Sequence, residues 1–296
     1  DEQPLVRTEV TTQPFIELHE LEVPEARVRP GRTELHPETF DHLGGHRRAT
    51  GDAIGPPRTE PDQDPWPASL PALMHDVQVA IARTVAEYAG RQAVREVERL
   101  YLDSIAAAER FIYIENQYLT AHCIGEALAQ RLQHSDAPEV VVVMPQRTGG
   151  WLEQHTMDVL RARLVKQLRE ADRHRRLRLY YPQLSSSSDA ALMVHAKVMI
   201  VDDRLLRVAS SNLSNRSMGL DCECDLAIEA DADSDTQQAI RKFREQLLAE
   251  HLGVEVQAVA DAMQREQSLI KAVEAGVVGI VRRSEATAEQ LVAVIR

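Results

Sequence analysis

The most informative stretch of this 296-residue sequence is Val194-His195-Ala196-Lys197-Val198-Met199-Ile200-Val201-Asp202. Its alternation of apolar and polar residues predicts a strand over 194–201 that turns at Asp202. One face of the strand then carries the aliphatic side chains for the core. His195 and Lys197 share the other face, about 6–7 Å apart. This pair suits a phosphate group, because lysine neutralises the oxygens while histidine attacks phosphorus or transfers a proton.

Three further polar residues follow at short spacing. Ser210 and Asn212 lie two residues apart, so they share a face, and each can hydrogen-bond a phosphate oxygen. Glu223 begins the next predicted strand. We expect the side chains of Cys224, Leu226 and Ile228 in this strand to face the core. Glu223 is then left on the polar side, where a carboxylate next to an imidazole fixes the tautomer and stabilises the cationic form.

The spacing His195-x-Lys197-x4-Asp202, followed by Ser210-x-Asn212 and Glu223, resembles the HKD motif of the phospholipase D superfamily. The resemblance covers roughly residues 63–256 and extends to the stretches 110–118, 151–153, 212–219 and 247–253. As a whole the sequence is similar to the C-terminal half of bacterial and plant-like phospholipases D.

The resemblance implies a role for each matching residue. His195 corresponds to the catalytic histidine of the motif, and Lys197 and Asn212 correspond to its phosphate-binding residues, with Ser210 as a further phosphate ligand. Glu223 matches the acid that supports the histidine. The predicted catalytic set is therefore His195, Lys197, Asn212 and Glu223.

Supporting roles are expected for three more residues. Asp202 matches the motif aspartate, which is mainly structural in this family, and a simple role as the first residue of a hairpin turn is favoured. Asn116 and Gln117 follow the strand predicted over 111–115, where a pocket-lining role and a plain strand-to-loop transition both stay open. Ala209 departs from the glycine that usually precedes the serine, and its methyl group could narrow the pocket slightly.

The chain contains a single HKD motif. The other ten of its 11 histidines lack a lysine two residues later. Most phospholipases D carry two motifs in one chain, and the active site forms where the two halves meet, with one histidine as nucleophile and the other as acid. The resemblance therefore implies a second HKD half as partner, from the same parent chain or from a homodimer. His195 is expected to be the acid in a fragment, whereas either copy could be the nucleophile in a symmetric dimer.

The alternation of strand and helix patterns predicts an α/β fold, an α-β-α sandwich with a mixed sheet. Strands are predicted at 77–83, 111–115, 139–144, 177–181, 194–201, 205–208 and 224–228, and helices at 91–110, 124–132, 151–170 and from Asp235. Eleven of the 14 prolines lie at or before Pro71, so residues 1–70 are interpreted as a proline-rich linker or the remnant of the preceding half. Residues 71–256 are predicted to form the HKD domain, and 257–296 a C-terminal helical tail.

The net charge and the apolar content of the sequence limit the kinds of partner that we expect. The net charge of −12 disfavours extended binding to nucleic acid, and no nucleic-acid partner is expected. The sequence contains no run of eighteen apolar residues, so no membrane span is predicted. We expect no cofactor and no metal ion. For the location we expect the bacterial cytoplasm or a peripheral position at a membrane.

The predicted function is that of a phospholipase D-type phosphodiesterase or phosphatidyltransferase. Such an enzyme cleaves the distal phosphodiester of a glycerophospholipid at a membrane surface through a phosphohistidine intermediate. Three alternatives stay open: a cardiolipin-synthase-like transferase, a single-motif nuclease, and a non-catalytic half-subunit. The sequence does not distinguish hydrolysis from transfer, and it does not identify the headgroup.

Overall fold

A computed structural model of the chain describes residues 72–146, 151–182, 193–232, 234–275 and 280–282, with only the backbone at 151–156 and 280–282. The predicted proline-rich segment 1–70 lies outside these residues. The predicted domain boundaries stay predictions.

The centre of the fold is a mixed β-sheet. Among the described residues it has nine strands in the order β2-β1-β8-β7-β6-β3-β4-β5-β9. The central strands β3, β4 and β5 are parallel, and the other pairs are antiparallel. The strands are β1 (Ala80–Val85), β2 (Val94–Arg95), β3 (Phe111–Glu115), β4 (Glu139–Val143), β5 (Leu177–Pro182), β6 (Val198–Val201), β7 (Leu205–Ala209), β8 (Glu223–Glu229) and β9 (Ile280–Arg282).

Helices cover both faces of this sheet. They are α1 (Glu96–Ala107), α2 (His122–Leu132), α3 (Trp151–Ala171), α4 (Asn215–Gly219), α5 (Asp235–Leu252), α6 (Val256–Glu266) and α7 (Leu269–Ala275). Helices α1 to α3 share one apolar core with Ile112 and Ile114 of β3. Helices α5 to α7 share a second core with Phe111 and Tyr113 from the other face of that strand. The predicted α-β-α sandwich with a mixed sheet is therefore confirmed.

Local sequence explains the boundaries of these elements. The run Val140–Val143 is buried on both faces, as a central parallel strand requires. Helix α5 begins where the Ser234 side chain accepts a hydrogen bond from the Gln237 amide at 3.1 Å. It ends at Gly253, whose φ of 65° favours glycine.

Two sequence predictions about strands are wrong. The strand predicted from 194 begins only at Val198, because its partner β3 ends at Glu115, which pairs with Val198. His195 and Lys197 therefore precede the strand. In β8 Asp225 and Ala227 are both fully buried and Ile228 is buried as predicted, while Cys224 and Leu226 are exposed. The inward face was misassigned because Asp225 is neutralised inside the core, so the strand does not follow a simple apolar alternation.

Candidate active site

The predicted site residues gather at the end of the sheet where β6 and β8 begin and β7 ends. The carbonyl of Lys197 accepts a hydrogen bond from the Ala209 amide at 2.9 Å, which ties the start of β6 to the end of β7. The Ser210 amide donates to the Cys224 carbonyl at 3.3 Å, which ties the same end to β8. Hydrogen bonds between neighbouring strands thus bring the motif and the residues after it together.

His195 and Lys197 differ in their exposure. His195 is exposed, whereas Lys197 is only 8% exposed, and its Nζ donates to the His195 carbonyl at 2.8 Å. Burial lowers the pKa of the Lys197 ammonium, and the negative charge of Glu223 opposes that shift. A partly desolvated cation attracts an anion more strongly than one in water does. The pair therefore presents an accessible imidazole next to a site suited to phosphate.

Ser210 and Glu223 are hydrogen-bonded to each other at the same end of the sheet. The Ser210 hydroxyl donates to Glu223 Oε2 at 2.5 Å and accepts from the Cys224 amide at 2.9 Å. Glu223 thus pairs with Ser210 and interacts electrostatically with Lys197. Among the described contacts none joins Glu223 to His195, so support of the histidine by Glu223 stays a prediction.

Asn212 has a side chain available to a ligand. Its Oδ1 is buried and has no hydrogen-bond partner, and its backbone amide donates to Ser217 Oγ at 3.1 Å. A buried polar group without a partner is unfavourable unless a ligand supplies the hydrogen bond. The amide group can donate to a phosphate oxygen through its NH₂, since the two ends of the amide are interchangeable by rotation.

Asn116 supports the loop that carries Asn212. Its buried Oδ1 accepts hydrogen bonds from the Leu213 amide at 3.0 Å and the Tyr118 amide at 3.1 Å. Its Nδ2 donates to the Ser211 carbonyl at 3.5 Å. Gln117 donates to the Tyr118 hydroxyl at 3.2 Å. The bonds of Asn116 therefore run to backbone groups on both sides of Asn212.

Asp202 lies at the far end of β6 from Lys197. Its carboxylate accepts hydrogen bonds from three consecutive amides, those of Glu109, Arg110 and Phe111, at 2.7, 2.8 and 2.7 Å. Its φ of 56° is a left-handed turn conformation that aspartate tolerates. Asp202 thus holds the β6–β7 turn against the start of β3.

Sequence reasoning missed a buried network beneath the site, formed by Arg207, Ser211 and Asp225. The Arg207 guanidinium pairs with Asp225 and lies 3.7 Å from the centre of the Tyr101 ring. The Ser211 hydroxyl donates to Asp225 Oδ2 at 2.7 Å, and the Ser211 amide to Oδ1 at 3.2 Å. The available signal was a charged residue inside each of two otherwise apolar strands. Asn212 therefore lies between two anchored neighbours, Ser211 and Leu213.

The described residues contain no group of three or more His, Cys, Asp or Glu side chains suited to a metal ion. Within the same residues, no helix is long and apolar enough to span a bilayer.

Comparisons with known proteins point to one superfamily. Residues 101–248 match the family described as cardiolipin synthase, PLD-like domain. Phospholipase D zeta 1 of Arabidopsis thaliana is 30% identical over 226 residues, covering 59% of this chain and 21% of that protein. Phospholipase D A of Dictyostelium discoideum is 26% identical over 221 residues, covering 60% and 17%. The chain thus spans about a fifth of the length of these curated relatives.

The chain is also similar to the solved structure of phosphatidylserine synthase from Haemophilus influenzae, with a TM-score of 0.45 and 15% sequence identity. The similarity covers 66% of this chain and 47% of the synthase chain. Another similar structure is that of the phospholipase D family member Nuc of Salmonella typhimurium, with a TM-score of 0.38 and 18% identity over 57% of this chain and 90% of that one. The family match covers half of the 296 residues and includes every predicted catalytic residue. The chain therefore belongs to the phospholipase D superfamily.

Proposed function

We propose that this chain supplies one half of a phospholipase D-type active site. The site cleaves the distal phosphodiester bond of a glycerophospholipid at a membrane surface and transfers the phosphatidyl group to water or an alcohol. The observation that carries the proposal is the exposed His195 next to the buried Lys197, at the same end of the sheet as Asn212, whose buried Oδ1 has no hydrogen-bond partner.

The chemistry divides between two histidines. One imidazole attacks phosphorus and forms an N–P bond, while the bond from phosphorus to the headgroup oxygen breaks. The other imidazole protonates that oxygen, and it then takes a proton from the water or alcohol that cleaves the N–P bond. Since His195 cannot be on both sides of the phosphorus, a second HKD half must supply the other histidine. In a fragment of a two-motif enzyme, His195 is the acid.

Lys197 and Asn212 stabilise the negative charge that develops on the phosphate oxygens. Both are held before substrate arrives: the Lys197 ammonium donates to the His195 carbonyl, and Asn212 lies between the anchored residues Ser211 and Leu213. Donors that need no reorganisation at the moment of reaction lower the barrier most effectively. The negative charge of Glu223 raises the pKa of Lys197 against the effect of burial, and so favours the charged ammonium form.

A second candidate is transfer of the phosphatidyl group to a glycerol-type acceptor. It is favoured by the description of the matching family, which names cardiolipin synthase. Both candidates use the same first step, and they differ in the molecule that cleaves the phosphohistidine. Incubation of phosphatidylcholine with equal concentrations of glycerol and ethanol separates them, because the first candidate yields phosphatidic acid and phosphatidylethanol as well, whereas a transferase for glycerol-type acceptors yields mainly phosphatidylglycerol.

The proposal is tested by substitution of the histidine. We expect His195→Ala to lose at least about 10²–10⁴-fold in turnover of a soluble chromogenic phosphodiester, the contribution typical of a proton-transfer group. The assay uses a high chain concentration, at which two copies can pair. Binding of inorganic phosphate, followed by ³¹P line broadening, should weaken in Lys197→Ala.

His134→Ala is the matched control. His134 is exposed and follows α2 just before β4 begins, at the end of the sheet opposite to His195. It should therefore keep full turnover and phosphate binding. Circular dichroism shows whether each variant is folded. A folded His195→Ala protein with the turnover of the parent would refute the proposed role of His195.

A further inference from the structure

A buried ion pair lies beneath the end of β3. The Glu115 side chain is 4% exposed, and its Oε1 is 3.1 Å from Nε2 of His251 in the last turn of α5. The same oxygen accepts a hydrogen bond from the Tyr113 hydroxyl at 2.6 Å. A buried carboxylate is strongly unfavourable unless it is paired and hydrogen-bonded. The histidine therefore matters for the position of this carboxylate.

Glu115 is next to both segments that carry the proposed phosphate-binding side chains. Across the sheet it pairs with Val198, which directly follows Lys197. Along the chain it precedes Asn116, whose side chain binds the Ser211 carbonyl and the Leu213 amide on either side of Asn212. A shift of Glu115 would therefore move both segments.

We propose that the Glu115–His251 ion pair positions Lys197 and Asn212 for phosphate binding. The inference rests on the proposed function of those two residues, and it adds that the ion pair fixes the positions of their side chains. Glu115 is a positioning residue, because its side chain lies with Phe111 and Tyr113 on the face covered by α5, whereas Asn116 turns to the loop that carries Asn212. The pair also joins two stretches of the sequence, 110–118 and 247–253, that are far apart in the chain.

The position of the pair depends on the charge of His251. The titratable groups that face this imidazole are Glu115 and Tyr113 from β3 and Glu250 from its own helix, and Arg244 of the same helix faces Tyr113. Burial alone would lower the pKa of His251, but the hydrogen bond and charge of Glu115, with the charge of Glu250, raise it above its ordinary value of 6.5.

The sign of the pH dependence follows from that direction. Because the folded protein raises the pKa of His251, the ion pair contributes fully below about pH 6.5, the ordinary pKa of histidine. Its contribution is lost as the pH rises through the higher pKa of the folded state. Phosphate binding and turnover should therefore weaken as the pH rises through the pKa of His251, which lies above 6.5.

NMR titration tests the coupling without any need for activity. We expect the His251 ring protons to titrate with a pKa above 6.5 in the parent chain, and the Asn116 side-chain amide and Leu213 amide to follow the same midpoint. In Glu115→Gln the His251 pKa should fall, because the close opposite charge that raises it is removed. The inference is overturned if the Asn116 and Leu213 signals do not follow the titration.

Kinetics supply a second measurement with a variant that keeps Glu115. His251→Gln should lower kcat for a soluble phosphodiester by roughly 10- to 100-fold, as a misplacement of about 1 Å does. It should also remove the part of the decline with rising pH that follows the His251 titration. His251→Lys keeps a cation and should move that decline to higher pH. The control is His134→Gln, an exposed histidine at the opposite end of the sheet.

The outcomes separate this inference from the proposed function. A parent chain that binds and turns over no phosphodiester contradicts the proposed function, while the NMR titration still decides whether the ion pair controls the loop. A folded His251→Gln protein with the parent's kcat and pH profile contradicts the positioning role alone. If Glu115→Gln does not fold, the titration of the parent and of His251→Lys decides the coupling.

Discussion

Asp225→Ala should destabilise this protein more than almost any other single substitution outside its apolar core. The Asp225 and Arg207 side chains are 0% and 1% exposed, and Asp225 is also the acceptor for the Ser211 hydroxyl and amide. Removal of one partner from a buried ion pair leaves an uncompensated charge and costs about 3–5 kcal/mol. Since a domain is stable by only about 5–15 kcal/mol, the loss is a large part of the total.

Equilibrium unfolding in urea, followed by circular dichroism, measures this loss. Asp221→Ala is the matched control, because it removes the aspartate of the nearby Arg216–Asp221 pair, whose side chains are 63% and 33% exposed. That variant should unfold at nearly the urea concentration of the parent, since surface ion pairs contribute little.

A double variant examines the cause of the loss. Arg207→Leu together with Asp225→Ala removes the unpaired cation, so it should recover part of the stability that Asp225→Ala loses. The reasoning is refuted if Asp225→Ala is no less stable than Asp221→Ala. It is also refuted if the double variant is the least stable protein of the series.

Three further predictions concern the site and its assembly. Activity on a soluble phosphodiester should survive EDTA and dialysis, because Lys197 and Asn212 supply the charge and donors for the phosphate; complete loss that one metal restores would contradict this. The isolated chain as a monomer should be inactive or nearly so, because one His195 cannot be both nucleophile and acid. Light scattering with activity across a dilution series measures this, and undiminished specific activity of a strict monomer would show the half-site argument to be wrong. Asp202→Asn should lower the free energy of unfolding by about 1–3 kcal/mol, because its side-chain NH₂ would face backbone amides that are themselves donors. The kcat per folded molecule should stay within a few-fold of the parent, as unfolding and turnover measurements on the same protein would show.

The sequence predicted the elements of the fold well where the pattern was continuous. The strand at Phe111–Glu115 and the helix from Asp235 occur where they were predicted, since a short apolar run and a sustained helical periodicity are clear local signals. The prediction failed at β8 because Asp225, a charged residue, occupies a core position. Periodicity treats a charged residue as exposed, and it has no information about a partner such as Arg207, 18 residues away.

The sequence by itself determined the family, through its match over residues 101–248, and the residue types available for phosphate chemistry. His195, Lys197, Asn212 and Glu223 have those functional groups in any conformation, and their spacing is a property of the chain. Which groups are desolvated, paired or anchored was decided only by the tertiary structure. Lys197 is buried where β6 begins between β3 and β7, Asn212 is held between Ser211 and Leu213, and Glu115 meets His251 across 136 positions of sequence. Such contacts depend on how distant strands and helices pack, and local sequence patterns extend over only a few residues.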